Sequence, residues 1–199
     1  MCTDLRNSRG KCTADLFDIA LQIRKIEIAS GLVTTLAGTA GQAGSSDGSG
    51  AGASFFLPQG ITRDGGNLYV TDAGNNSIRK IAIGSGAVST LTGLHFADNL
   101  GFNDPVGIAF DSGNLYIADS ANHTLRKLDI ATGTVTNFAG APGRGESVDG
   151  PGATAGFAFP QGVSSNGTSL YVSDANNTLL LVVEIATAMV TTYPPATGN

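Results

Sequence analysis

Three acid-amide pairs recur along the chain, Asp72 with Asn75, Asp119 with Asn122, and Asp174 with Asn177, each with two residues between its members. Oxygen-rich side chains at this spacing can accept hydrogen bonds from nearby backbone N–H groups and shape a turn. They can also offer oxygens to a hard cation such as Ca²⁺, but one carboxylate per repeat is few for such a site. Turn shaping is the expected role, and no cofactor or metal is expected. Asp47-Gly48 and Asp149-Gly150 add two further carboxylates in Gly-rich stretches, and His123 follows the second pair. Asp47, Asp72, Asn75, Asp119, Asn122, His123, Asp149, Asp174 and Asn177 are therefore the candidates for a ligand-facing set of loops. Catalytic chemistry is scarce. His95 and His123 are the only histidines, the glutamates are Glu27, Glu146 and Glu184, and no Ser/His/Asp or paired-carboxylate constellation can be assembled from the spacing. The Gly-rich stretches also lack the Gly-x-x-x-x-Gly-Lys-[Ser/Thr] string of a phosphate-cradling loop.

The elements that would carry these residues are repeated. Ile23-Arg-Lys-Ile-Glu-Ile28 recurs as Ile78-Arg-Lys-Ile-Ala-Ile83 and Leu125-Arg-Lys-Leu-Asp-Ile130, and loosely as Leu180-Leu-Val-Val-Glu-Ile185, with starts 55, 47 and 55 residues apart. A second strand opens five residues after each, at Val33, Val88, Val135 and Val190. Two more strand-like pieces precede three of these pairs. The first begins at Pro58-Gln-Gly-Ile61, Pro105-Val-Gly-Ile108 and Pro160-Gln-Gly-Val163, and the second is Leu68-Tyr-Val70, Leu115-Tyr-Ile117 and Leu170-Tyr-Val172. Four short strands joined by Gly-, Asn- and Asp-rich turns describe a propeller blade. The expected fold class is all-β, an incomplete β-propeller of four-stranded antiparallel blades, about three and a half in number. The boundaries are a non-repeat segment 1–21, then a propeller over 22–199 with a partial blade 22–38 and full blades 58–93, 105–140 and 160–195.

The ordered string Pro-x-Gly-Ile, Leu-Tyr-Val-x-Asp, Asn, Ile-Arg-Lys-Ile and Val-x-Thr-Leu-x-Gly resembles the NHL repeat family, from Gln22 to the C-terminus. The resemblance implies propellers, commonly six-bladed. It also implies the alternative function weighed here, a fragment of a metal-dependent propeller enzyme of the lyase or lactonase type.

Composition narrows the function classes. Glycine is 28 of 199 residues and charged residues are 14 %, against roughly 25 % in an average protein, which favours many tight turns over solvated helices. A net charge of −5 opposes a phosphate backbone, so no nucleic-acid partner is expected. No apolar run is long enough for a membrane helix, and residues 1–11 lack the apolar middle of a secretory signal. Cys2 and Cys12 both precede the repeats, so no disulfide framework underlies them. Phe55, Phe102 and Phe157, three residues before each repeated proline, are expected to plug the connecting loops onto the core. The preferred reading is a non-enzymatic binding or scaffold module, part of a larger protein. Its partner would be a protein, a glycan, or a second propeller fragment that completes the ring.

Overall fold

Short runs rich in Val, Ile, Leu and Tyr, interrupted by Gly, Asn and Asp, fold as the strands that this composition predicts. The computed structural model describes residues 21–92 and 101–193; Cys2, Cys12 and His95 lie outside them. Blade 1 is a hairpin of β1 (Ile23–Ile26) and β2 (Val33–Ala37), followed by a two-residue strand β3 (Gly48–Ser49). Blade 2 contains β4 (Pro58–Arg63), β5 (Asn67–Asp72), β6 (Ser77–Ala82) and β7 (Ala87–Thr92). Blade 3 contains β8 (Pro105–Asp111), β9 (Asn114–Asp119), β10 (Thr124–Asp129) and β11 (Val135–Ala139). After β12 (Gly150–Pro151), blade 4 is built from β13 (Pro160–Ser165), β14 (Ser169–Asp174), β15 (Leu179–Glu184) and β16 (Met189–Thr192). Every blade is an antiparallel meander in chain order, so the fold is an arc of β-propeller blades.

Four strands per blade undercounts two of the sheets. The long connections 38–58 and 140–160 each lend a short fifth strand to the outer edge, with β3 pairing on β7 and β12 on β16. The Asp-Gly pairs make this possible. Gly48 and Gly150 adopt φ of 151° and 154°, a backbone region that side chains disfavour, and so turn the loop onto the sheet edge.

The core lies between successive blades, in three clusters. Phe55, Phe102 and Phe157 sit buried one in each, as the plug expected from the sequence. The innermost strands meet so closely that a Cβ on Gly60 would lie 2.3 Å from the Val106 carbonyl oxygen, and one on Gly107 would lie 2.1 Å from that of Gln161. Neither position has room for any residue larger than glycine, which is the physical reason for the repeated Pro-x-Gly. In β6 and β10 a register shift falls at the residue before the arginine. Arg79 and Arg126 are buried there, while Lys80 and Lys127 stay partly exposed.

Candidate binding face

The turn between the second and third strands of each blade meets the loop that leads into the same blade, and the Asp-x-x-Asn pair fastens the two. Asp72, Asp119 and Asp174 are buried, and each accepts a backbone N–H from the residue sixteen positions earlier: Phe56, Asn103 and Ala158, all at 2.7 Å. The amide three residues on then completes the tie. Asn75 donates to Asp72 Oδ2 and to the Gly44 carbonyl, and Asn122 to Asp119 Oδ2 and the Gly101 carbonyl. Asn177 donates to Asp174 Oδ2 and to the Ser147 hydroxyl. These six side chains point into the protein, and their backbone donors belong to the distant leading loop, not to their own turn.

The arginine of the repeat is the cation of this tie. Arg79 Nη1 donates to Asp72 Oδ2 at 2.8 Å and to the Ser54 carbonyl, while Nη2 reaches Asp47 Oδ1 at 2.9 Å and the Ser46 carbonyl. Its guanidinium also lies 5.1 Å from the Phe55 ring centroid, within the range of a cation–π contact. All these partners belong to the arginine's own blade and leading loop, not to a neighbouring blade. Arg126 pairs with Asp119 at 3.4 Å. Burial raises the Asp119 carboxyl to about 6, against the opposing pull of Asn103, Asn122 and Arg126.

Asp47 and Asp149 occupy equivalent places at the outer rim, where each accepts a hydroxyl at 2.9 Å, from Thr90 and Thr192 respectively. Slight desolvation raises the Asp47 carboxyl, but hydrogen bonds from Thr90 and Arg79 outweigh it and hold the group below its ordinary range. His123 sits in the left-handed region, φ 60°, with its ring edge-on to Phe159 at 4.4 Å. The Phe159 N–H donates to its Nδ1 at 3.3 Å. Among the described residues no three His, Cys, Asp or Glu side chains gather as metal ligands.

One set of positions on this face escapes a reading of the sequence. Leu57, Asp104 and Phe159, each directly before the repeated proline, have φ of 53°, 53° and 55°. Non-glycine residues rarely adopt this conformation, and a following proline disfavours helical backbone further. The strain is held by the turn, because Ala73, Ser120 and Ala175 donate their N–H groups to the three carbonyls. One backbone position therefore holds an aliphatic, an acidic and an aromatic side chain in blades 2, 3 and 4. The repeated proline itself marks it in the sequence; the residue types do not.

A family described as a repeat of unknown function, DUF6923, matches residues 20–198. No curated protein matches the sequence. The fold is similar to a structural-genomics protein of unknown function from Bacteroides thetaiotaomicron VPI-5482, with TM-score 0.64 and 21 % identity over 80 % of this chain and 41 % of that one. It is also similar to a chain of a nidogen/laminin complex, with TM-score 0.62 and 22 % identity over 91 % of this chain and 57 % of that one. A streptogramin B lyase follows, with TM-score 0.60 and 15 % identity over 91 % and 50 %. The chain spans about half the length of these solved chains.

Proposed function

The chain belongs to the DUF6923 family, a repeat of unknown function, and on that premise we propose a non-enzymatic binding or scaffold module of the NHL-repeat kind. It is part of a larger protein and presents its loop face to a protein or glycan partner. One observation carries this reading. The polar residues that recur from blade to blade are turned inward and bonded, whereas the pre-proline position varies freely on a fixed backbone, as Leu57, Asp104 and Phe159. A constant frame with variable display is how loops carry specificity on a rigid scaffold. An acidic and an aromatic side chain at equivalent points suit a sugar or a mixed protein surface. A precedent for a protein partner on this fold is the similar chain solved in a nidogen/laminin complex.

The test is binding of the purified chain to a glycan array and to a panel of immobilised secreted proteins, repeated with Asp104→Ala and Phe159→Ser. Saturable binding that both substitutions weaken supports the module. A stoichiometric metal ion together with chelator-sensitive hydrolysis of ester or lactone substrates would overturn it in favour of a propeller enzyme.

A further inference from the structure

Successive blades are clasped together on the loop face, and the clasp is made of different chemistry at two equivalent junctions. The residue directly after the Asp-x-x-Asn pair adopts left-handed backbone, φ 49° at Asn76 and 60° at His123, and its N–H closes its own turn on the Ala73 or Ser120 carbonyl. Its side chain reaches out of the blade to the pre-proline residue of the next. Asn76 Oδ1 accepts the Asp104 N–H at 2.9 Å, and His123 Nδ1 accepts the Phe159 N–H at 3.3 Å. The first bond ties blade 2 to the loop leading into blade 3, and the second ties blade 3 to the loop leading into blade 4.

An amide oxygen accepts a hydrogen bond at any ordinary pH. An imidazole nitrogen accepts only while the ring is neutral, with its proton on the other nitrogen, and turns into a donor in mild acid, between about pH 7 and 5. A proton on Nδ1 therefore sets two N–H groups against each other at the second junction and leaves the first untouched. The ring has little room to turn aside. It stands edge-on to Phe159 at 4.4 Å and packs on Gly145 so closely that a Cβ there would lie 3.3 Å from its Cε1. Charged groups on the surrounding elements do not replace the lost bond. Asp174 attracts an imidazolium at this place, but its oxygens already accept from Ser147, Ala158 and Asn177. Arg144 and Glu146, on either side of Gly145, are exposed and opposite in sign, and Asp119 and Arg126 of the same blade pair with each other.

We propose that His123 is a proton-operated clasp: neutral, it ties the backbone of Phe159 to blade 3, and protonated, it releases that N–H and frees the position that displays an aromatic ring on blade 4. The Phe159 ring is 39 % exposed, so the residue set free is one that a ligand can touch. Its carbonyl stays held by the Ala175 N–H, so release is a movement about one anchored end and not local unfolding. Carried over to the binding module proposed above, and resting on that reading, a ligand held through Phe159 is let go in mild acid while one held through Asp104 is kept.

The test is an NMR titration of the intact, isotope-labelled protein between about pH 7.5 and 5, made without any ligand, so its outcome does not depend on whether the binding reading holds. The neutral His123 ring should carry its proton on Nε2. As the ring titrates, the Phe159 amide resonance should shift with it, and the protection of that amide against hydrogen exchange should fall about three- to tenfold, the worth of one hydrogen bond. The Asp104 amide should do neither. His123→Asn installs the acceptor of blade 2, a residue type that tolerates left-handed backbone, and should keep the Phe159 amide protected throughout. The proposal fails if the Phe159 amide ignores the titration of His123, if the neutral ring carries its proton on Nδ1, or if the shift persists in His123→Asn. The last result would assign the response to Asp174, whose carboxylate holds the neighbouring Ala158 N–H.

Discussion

Blades 2 and 4 place a carboxylate at the same buried position and neutralise its demand for partners by different chemistry. In blade 2 Arg79 is a hub that grips Asp72, Asp47 and two loop carbonyls at once. In blade 4 that arginine is replaced by Leu181, a core residue 1 % exposed. The Asp174 carboxylate is served instead by the Ser147 hydroxyl from the leading loop, with Asn177 bridging the two. Without a guanidinium, burial raises the Asp174 carboxyl, opposed by the Ala158 N–H, Asn177 and the charge of nearby His123. The contrast teaches that the frame needs a satisfied carboxylate at this point, and that a buried ion pair is one of two ways to achieve it.

The comparison breaks most sharply if blade 2 is given the residue of blade 4 without its serine. Arg79→Leu leaves Asp72 buried with its cation gone, and urea denaturation should show a loss of about 3–5 kcal/mol; a loss below 1 kcal/mol would mean that the arginine is dispensable. Acidification sharpens it next. Asp119 titrates at about 6 when folded and at roughly 3.9 in an unfolded chain, so between those values the folded state holds a proton that the unfolded state has released. Stability therefore rises as pH falls from 7 towards 4, by about 2–3 kcal/mol from Asp119. Asp174, also raised, adds in the same direction. Below about pH 4 the sign reverses. Asp47, Asp64 and Asp111 are held low by their hydrogen bonds, so they stay ionised in the fold while the unfolded chain takes up protons. Denaturation midpoints across this range should peak near pH 4, and a peak at neutrality would refute the assignment.

Two smaller substitutions complete the series. Ser147→Ala removes the hydroxyl from Asp174 and should cost about 1–2 kcal/mol, since Asn177 and the Ala158 N–H remain. Asp47→Asn should cost under about 1 kcal/mol, because this arm of the arginine hub is half exposed. Asp149→Asn, with no arginine behind it, should cost less still. Equal losses for the two would mean that the Thr90 and Thr192 hydroxyls, not Arg79, set the value of the rim carboxylates.

Strand order and the phenylalanine plugs were legible in the sequence because each recurs at matching offsets in three blades; Asp-x-x-Asn was legible as a bonding motif of the turn, but not its reach to the leading loop. What stayed hidden either does not recur or rests on tertiary hydrogen bonds that residue types do not announce. Ser147 replaces a residue from a different strand, and no single-position pattern links it to Leu181. The sixteen-residue step from Phe56 to Asp72 closes across the β4–β5 hairpin, whose register brings the end of the leading loop beside the aspartate. The left-handed backbone of Leu57, Asp104 and Phe159 is held by tertiary hydrogen bonds and runs against the preference of every residue placed there. The fifth strands of blades 2 and 4 are two residues long, too short for any periodicity to announce.

Exchanging the arginine and lysine of the repeat for Leu181 and Val182 also changes how this chain must be made. Leu179–Val183 is an uncharged run of branched aliphatic residues, the composition that self-associates when exposed. In the folded protein β15 lies between β14 and β16. During synthesis β13 and β14 leave the ribosome first, so β15 emerges beside a template already waiting for it. Chain order thus acts as the chaperone of its stickiest segment, and a variant that delays the β13–β14 hairpin would lose yield to aggregation before it lost equilibrium stability.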